Sequence, residues 1–198
     1  MEISSSVSFG KTLVAQCDLR RQNHRKVPCN IFQLNFPEDK DYFFKLENSK
    51  PWEKAWFMWD MNEEFNSDVT GERTYVIESK GGRCLGFAAV LEDDELPGEE
   101  ELVYLETCPK YQITNEKRTI KYIGETLIAF ITGLAKGKDI KTIEIKAYTS
   151  NGERFYKKKC NFEQRNDEKQ TLFLRRENFE NVINKNKAHT HSEIRYLV

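Results

Sequence analysis

The sequence lacks a cysteine framework: Cys17, Cys29, Cys84, Cys108 and Cys160 are odd in number and scattered, with no Cys-x-x-Cys pair. That argues against a disulfide-stapled secreted scaffold and for reduced thiols in a cytoplasmic protein. Cys17, His24 and Cys29 offer zinc-type ligands but have no fourth partner at a familiar spacing, so no metal is expected. Long hydrophobic runs are missing too. The longest nearly apolar stretch, Leu127 to Ala135, is far too short to span a bilayer, and the start, Met-Glu-Ile-Ser-Ser-Ser, has neither the basic residues nor the apolar run of a secretory signal. Nor is there an excess of charge of one sign. The 31 Lys and Arg stand against 32 Asp and Glu, which removes any global attraction to nucleic acid or anionic membranes. Internal repeats and low-complexity segments are absent.

What is present suits one folded domain. With 198 residues, 12% aromatic and 32% charged, the chain can build a sizeable core beneath a polar surface. Tyr75-Val76-Ile77, the turn Lys80-Gly81-Gly82-Arg83 and Cys84 to Leu91 read as an antiparallel hairpin. An acidic segment from Glu92 to Glu101, with seven carboxylates in ten residues, reads as a solvated loop before a further strand, Leu102 to Cys108. Ile123, Leu127, Phe130, Ile131 and Leu134 recur at helical spacing, and Gly137 closes that helix. Ile143, Ile145 and Ala147 alternate with polar residues as in a half-buried strand. A short helix from Gly152 to Lys159 and a hairpin, Asn161 to Arg165 with Gln170 to Arg175, complete the readable part. Residues 177–198 read as a polar C-terminal tail.

The first seventy residues are less regular. A strand is expected around Asn30 to Leu34, and Trp52, Trp56 and Trp59 fall on one face of a helix beginning at Pro51. The tryptophan stripe reads first as core packing and second as a wall for a substrate. Arg20, Arg21, Arg25 and Lys26 form a local basic cluster, which would bind nucleic acid only through a salt-sensitive contact that the net charge does not favour.

Four pieces in order carry the chemistry: Leu105-Glu106-Thr107-Cys108-Pro109-Lys110-Tyr111-Gln112, then Lys121-Tyr122-Ile123-Gly124-Glu125-Thr126, then Ile143 to Ala147, then Phe155-Tyr156 followed by Asn161-Phe162. A strand running through a glycine turn into a helix aims unpaired N–H groups and a positive helix end at one spot, where a phosphate can sit. This series resembles the GNAT superfamily of acyl-CoA-dependent N-acyltransferases, over roughly Arg73 to Arg175. Thr126 stands where the family has Gly or Ala. About nine residues, Ile113 to Lys121, separate the Pro-x-Tyr from the glycine turn, so Gln112 or Lys121 takes the basic or polar first position. Asn161 replaces a glycine, one residue late, at a left-handed turn.

The resemblance implies an α/β fold: a twisted, mixed, mostly antiparallel sheet flanked by helices, in a domain over 1–176 with the motif region at 73–175. It implies acetyl-CoA as cosubstrate, wedged beside the strand Leu102 to Cys108. Its pantetheine would pair near Glu106, Thr107 and Cys108, and its pyrophosphate would rest on the amides of Ile123, Gly124, Glu125 and Thr126, with Lys121 and Asn151 as further contacts; Asn151 also reads as the cap of its helix. The reaction implied is direct attack of a primary amine, of a small molecule or protein, on the thioester. A backbone N–H near Thr107 or Cys108 holds the oxyanion, Tyr156 is the acid for the departing thiolate and Glu106 the base. A membrane partner is not expected, and a homodimer is left open. The alternative is a catalytically degenerate acyl-CoA-binding or protein-interaction module.

Overall fold

The computed structural model describes residues 10–35, 39, 42, 45–46, 52, 72–92, 97–112, 119–165 and 170–197. Among them, one sheet of ten strands runs in the order β10-β1-β2-β3-β4-β5-β7-β9-β8, with β6 paired to β1. The strands are β1 (Thr12–Arg21), β2 (Lys26–Gln33), β3 (Glu72–Ser79), β4 (Cys84–Glu92), β5 (Glu99–Thr107), β6 (Ile120–Lys121), β7 (Thr142–Lys146), β8 (Glu163–Gln164), β9 (Thr171–Arg175) and β10 (Arg195–Tyr196). Among the described residues three α-helices accompany them: α1 (Ile123–Gly137), α2 (Ser150–Cys160) and α3 (Phe179–Thr190). Every strand pairing is antiparallel except β5 with β7. The twisted, mixed, mostly antiparallel sheet flanked by helices is therefore present.

Packing places α1 on one sheet face. Gly86 on β4 makes this close approach workable, since a Cβ there would come within 2.8 Å of Ile123 Cγ2 and 2.7 Å of the Glu106 carbonyl. Ile123, Leu127, Phe130 and Ile131 are buried as their spacing predicts, and Phe130 meets the edge of the Tyr75 ring at 5.1 Å. On β4 the side chain of Phe87 alternates to the other face. Trp52, 2% exposed, packs against it at 5.8 Å between ring centroids, which is the core reading of that tryptophan. Trp56, Trp59 and the helix expected from Pro51 lie outside the described residues.

Three expectations change. Residues 177–197 are built into the fold rather than standing apart as a polar tail. The stripe Phe179, Val182, Asn186 and Thr190 turns α3 onto α1, and β10 pairs with β1 through Ala15↔Tyr196 and Gln16↔Arg195. Tyr196 stacks on Phe130 at 5.7 Å, with its hydroxyl donating to the Phe130 carbonyl at 3.2 Å. Nor is the acidic segment simply a solvated loop: Glu99 to Glu101 begin β5, and Glu100 is buried, held by Arg73 Nη2 at 2.5 Å with Lys138 Nζ at 3.9 Å. Arg73 and Lys138 also flank Glu92, at 3.5 and 3.6 Å, so these carboxylates are neutralised within the fold rather than offered to a cationic acceptor. Finally, the strand expected near Asn30 is one arm of a hairpin with β1, which periodicity alone did not expose.

Candidate active site

The site forms where β5 and β7 part. Their parallel pairing runs only from Glu99↔Thr142 to Glu101↔Glu144, although β5 continues to Thr107. Beyond that point Val103 is an extra residue between Leu102, opposite Val90, and Tyr104, opposite Ala89. Such a bulge bends a strand and ends its pairing on one side. Val103 through Thr107 are consequently all half-buried, although β4 and β3, next in the sheet, are buried over most of their length.

Hydrogen-bond alternation decides which backbone groups face the opening. The Cys108 N–H donates to the Leu85 carbonyl at 2.9 Å, so in the antiparallel register Glu106 and Cys108 turn their backbone groups to β4. Leu105 and Thr107 turn theirs to the opening. The Cys108 amide is thus committed elsewhere and the Thr107 amide, on the open side, bonds the Glu106 carboxylate, so neither of the two expected oxyanion donors is left free; the Cys108 thiol is buried, with its pKa raised by burial.

The start of α1 adjoins this strand end. Tyr122 takes a left-handed conformation, φ 69°, and no side chain caps the helix. The Thr126 N–H already bonds the Tyr122 carbonyl at 2.9 Å, so the first-turn amides left for an anion are those of Ile123, Gly124 and Glu125. Gly124 is where three elements converge: a Cβ there would lie 3.2 Å from Phe155 Cζ on α2 and 3.6 Å from Thr107 Oγ1 on β5. The side chains of Glu125 and Thr126 face α3 instead. Thr126 Oγ1 accepts from Asn186 Nδ2 at 3.0 Å, both buried, and Glu125 Oε2 meets His189 Nδ1 at 2.6 Å, with the His189 ring stacked on Tyr122 at 5.2 Å. Thr126 in place of a smaller residue is therefore accommodated by α3.

Two ionisable groups stand at the strand end. Glu106 is half-buried rather than an exposed strand carboxylate, and burial pushes its pKa up to about 7 against the opposing bonds from Gln112 Nε2, at 2.6 Å, and the Thr107 backbone. Gln112 also donates to the Thr107 carbonyl at 3.3 Å, tying the loop after β5 to the strand. Tyr156 on α2 is buried between Phe155 and Phe162, at 5.2 and 5.5 Å, and its pKa is raised by burial first, then by Cys160 and Glu106. Tyr156 is thus a protonated phenol within the electrostatic reach of Glu106.

The structure brings Glu106, Thr107, Gly124 and Tyr156 into one neighbourhood. Others fall differently. Lys121 is paired with Arg20 in β6, and Asn151 is exposed within the first turn of α2, whose cap is Thr149, accepting from the Gly152 N–H at 3.0 Å. Asn161 is left-handed, φ 59°, as expected, and accepts from Lys185 of α3 at 3.1 Å. Phe155, Asn186 and His189 were not singled out as site residues; the apolar-and-Asn spacing of α3 was the available signal for the last two. Among the described residues no group of His, Cys, Asp and Glu is arranged to hold a metal, and no helix is long and apolar enough to cross a membrane.

This architecture, an open mixed sheet flanked by helices, matches the fold of a solved structure described as a GNAT-family acetyltransferase. Solved structures share it. A protein described as a GNAT-family acetyltransferase from Desulfovibrio desulfuricans superposes with a TM-score of 0.56 at 13% identity, over 74% of this chain and 98% of that one. AtaTR bound with acetyl-CoA gives 0.55 at 15%, over 78% and 97%. A spermidine N-acetyltransferase SpeG chimera from Vibrio cholerae and hSSAT gives 0.52 at 14%, over 84% and 99%. No protein-family model and no curated protein sequence matches the chain. The likeness is one of fold, and it covers nearly the whole of each neighbour while leaving part of this chain outside it.

Proposed function

We propose that the chain is an acyl-CoA-dependent N-acyltransferase that moves an acetyl group from acetyl-CoA to a primary amine of a small molecule or protein. The observation that carries this reading is the convergence at Gly124, where an uncapped helix start, Thr107 at the end of β5 and Phe155 of α2 meet, with Glu106 and Tyr156 the next residues along those two elements. Support for the cosubstrate comes from the neighbour solved with acetyl-CoA, and for an amine acceptor from the neighbour described as a spermidine N-acetyltransferase.

The residues fit such a ligand. The space that a Cβ at Gly124 would take is left free beside the unbonded first-turn amides, a cradle suited to a pyrophosphate. The backbone of Leu105, turned to the opening, is placed to take an extended pantetheine arm as an added strand. When bound, acetyl-CoA supplies the activated acyl group as a thioester. Glu106, titrating near 7, accepts the proton that an ammonium acceptor must lose before it can attack. The Tyr156 hydroxyl gives its proton toward the departing sulfur. No covalent enzyme intermediate is needed.

Calorimetric titration with acetyl-CoA, against CoA and ATP as controls, tests the reading. Gly124→Asp puts a carboxylate into the cradle and against Phe155. Micromolar binding by the parent protein, lost in a folded Gly124→Asp variant, is expected; equal affinity in the two proteins would remove the cradle from the site.

A further inference from the structure

The start of α1 carries an acid of its own. Glu125 is the third residue of the helix, after Ile123 and Gly124, with Tyr122 at the cap position. From that third position a carboxylate ordinarily folds back over the helix start to accept from the backbone N–H of the cap residue, and the positive end of the helix draws it there. An acid so placed is a rival to any phosphate, since it brings negative charge onto the amides that a phosphate would use. The cradle beside Gly124 therefore contains its own competitor unless something holds that carboxylate away.

α3 supplies the hold. Glu125 Oε2 meets His189 Nδ1 at 2.6 Å, and the Glu125 side chain is only 12% exposed. An ionised carboxylate can only accept, so Nδ1 of the imidazole carries the hydrogen and donates it. The same ring lies over that of Tyr122, with 5.2 Å between centroids and 24° between planes. Tyr122 is the left-handed residue from which the helix departs, and its carbonyl takes the Thr126 N–H. One turn earlier on α3, Asn186 donates to Thr126, while Lys185 is committed to the Lys158 carbonyl and to Asn161 Oδ1, each at 3.1 Å. His189 is thus the side chain of α3 that takes both the cap residue and the acid of the first turn.

We infer that His189 is a positioning residue for the pyrophosphate of acyl-CoA: by keeping the Glu125 carboxylate turned to α3 it leaves the first-turn amides of α1 to the ligand. This rests on the proposed function and adds to it a residue that acts through Glu125 rather than by contact with the ligand. Without the imidazole the carboxylate is free to return to the helix start, where it covers an amide and repels the incoming phosphates. A unit charge brought to about 6 Å from a phosphate at a partly screened helix end changes affinity about tenfold.

The test is calorimetry with CoA on the parent chain, on His189→Phe and on His189→Phe combined with Glu125→Gln, with circular dichroism to check the fold of each. Phenylalanine keeps a ring over Tyr122 and offers no donor, which separates the hold on the carboxylate from the stacking. His189→Phe should bind CoA about tenfold more weakly than the parent, and the deficit should be larger at low salt. Adding Glu125→Gln should recover most of the loss, because the amide has no charge to bring to the cradle. Parent-like affinity in His189→Phe, or a loss that Glu125→Gln does not recover, would overturn the inference while leaving the cradle in place. Glu125→Asp serves if His189→Phe does not fold: it keeps the charge but is one methylene too short to reach Nδ1, so it too should weaken CoA binding, and parent-like affinity would again overturn the inference. Absence of CoA binding by the folded parent would overturn the cofactor reading and this inference with it.

Discussion

Glu106→Gln should make the protein more stable at alkaline pH, and the size of the gain follows from where the carboxyl is held. Burial raises its pKa from an ordinary 4.5 to about 7. A raised carboxyl means that the folded state binds a proton the unfolded chain has already released, so the stability linked to it is full below 4.5 and is lost as pH climbs through 7. At pH 8 the whole difference is expressed, up to about 3 kcal/mol. Glutamine keeps a neutral side chain of the same shape, and its carbonyl can still accept from Gln112, so it escapes that cost. Urea unfolding of both proteins without ligand, from pH 4 to pH 8.5, reads the effect. The curves should nearly coincide at pH 4, separate between 4.5 and 7, and stay parallel above. A difference independent of pH would refute the argument, because it would mean that the carboxyl titrates alike in both states. The same substitution should abolish the alkaline rise in kcat/KM for an amine acceptor, the rise in the parent having an apparent pKa near 7.

Other outcomes follow from single contacts. Gly133→Ala would place a Cβ 1.8 Å from Tyr196 Oη, so it should cost about 2–3 kcal/mol in chemical denaturation, and adding Tyr196→Ala should recover part of that loss. Arg73→Met leaves Glu100 buried with Lys138 3.9 Å away, and should destabilise by about 3 kcal/mol in urea unfolding at pH 7; unchanged stability would count against the buried pair. Tyr156→Phe should lower kcat at least tenfold with little change in acetyl-CoA affinity, and unaltered turnover would take the phenol out of the mechanism. Deleting residues 179–197 should yield a protein without cooperative thermal unfolding, since it strips α3 and Tyr196 from α1.

Local pattern determined much of this molecule. The glycine turn and β-branched runs of the β3–β4 hairpin, the apolar stripe of α1 and the alternation of β7 are short-range signals, and each produced its element with nearly the expected bounds. The glycine before α1 and the aromatic pair on α2 are likewise visible as letters, and their order along the chain was enough to suggest an acyltransferase fold. What the letters could not contain was partnership at long range. The terminal segment looked like a polar tail because Asn186 and His189 break up its apolar stripe, yet those side chains find their partners on α1 and Tyr122, sixty or more residues away. Glu100 looked like one more solvated acid until Arg73 enclosed it. Glu106 was a strand glutamate of ordinary chemistry, and only the parting of β5 from β7 and the covering by Gln112 and α2 gave it a pKa near neutrality. Backbone propensity and periodicity act over one turn or one strand and can be read in sequence. Desolvation, charge pairing and the choice of which amide faces an opening depend on neighbours that only the folded sheet brings together.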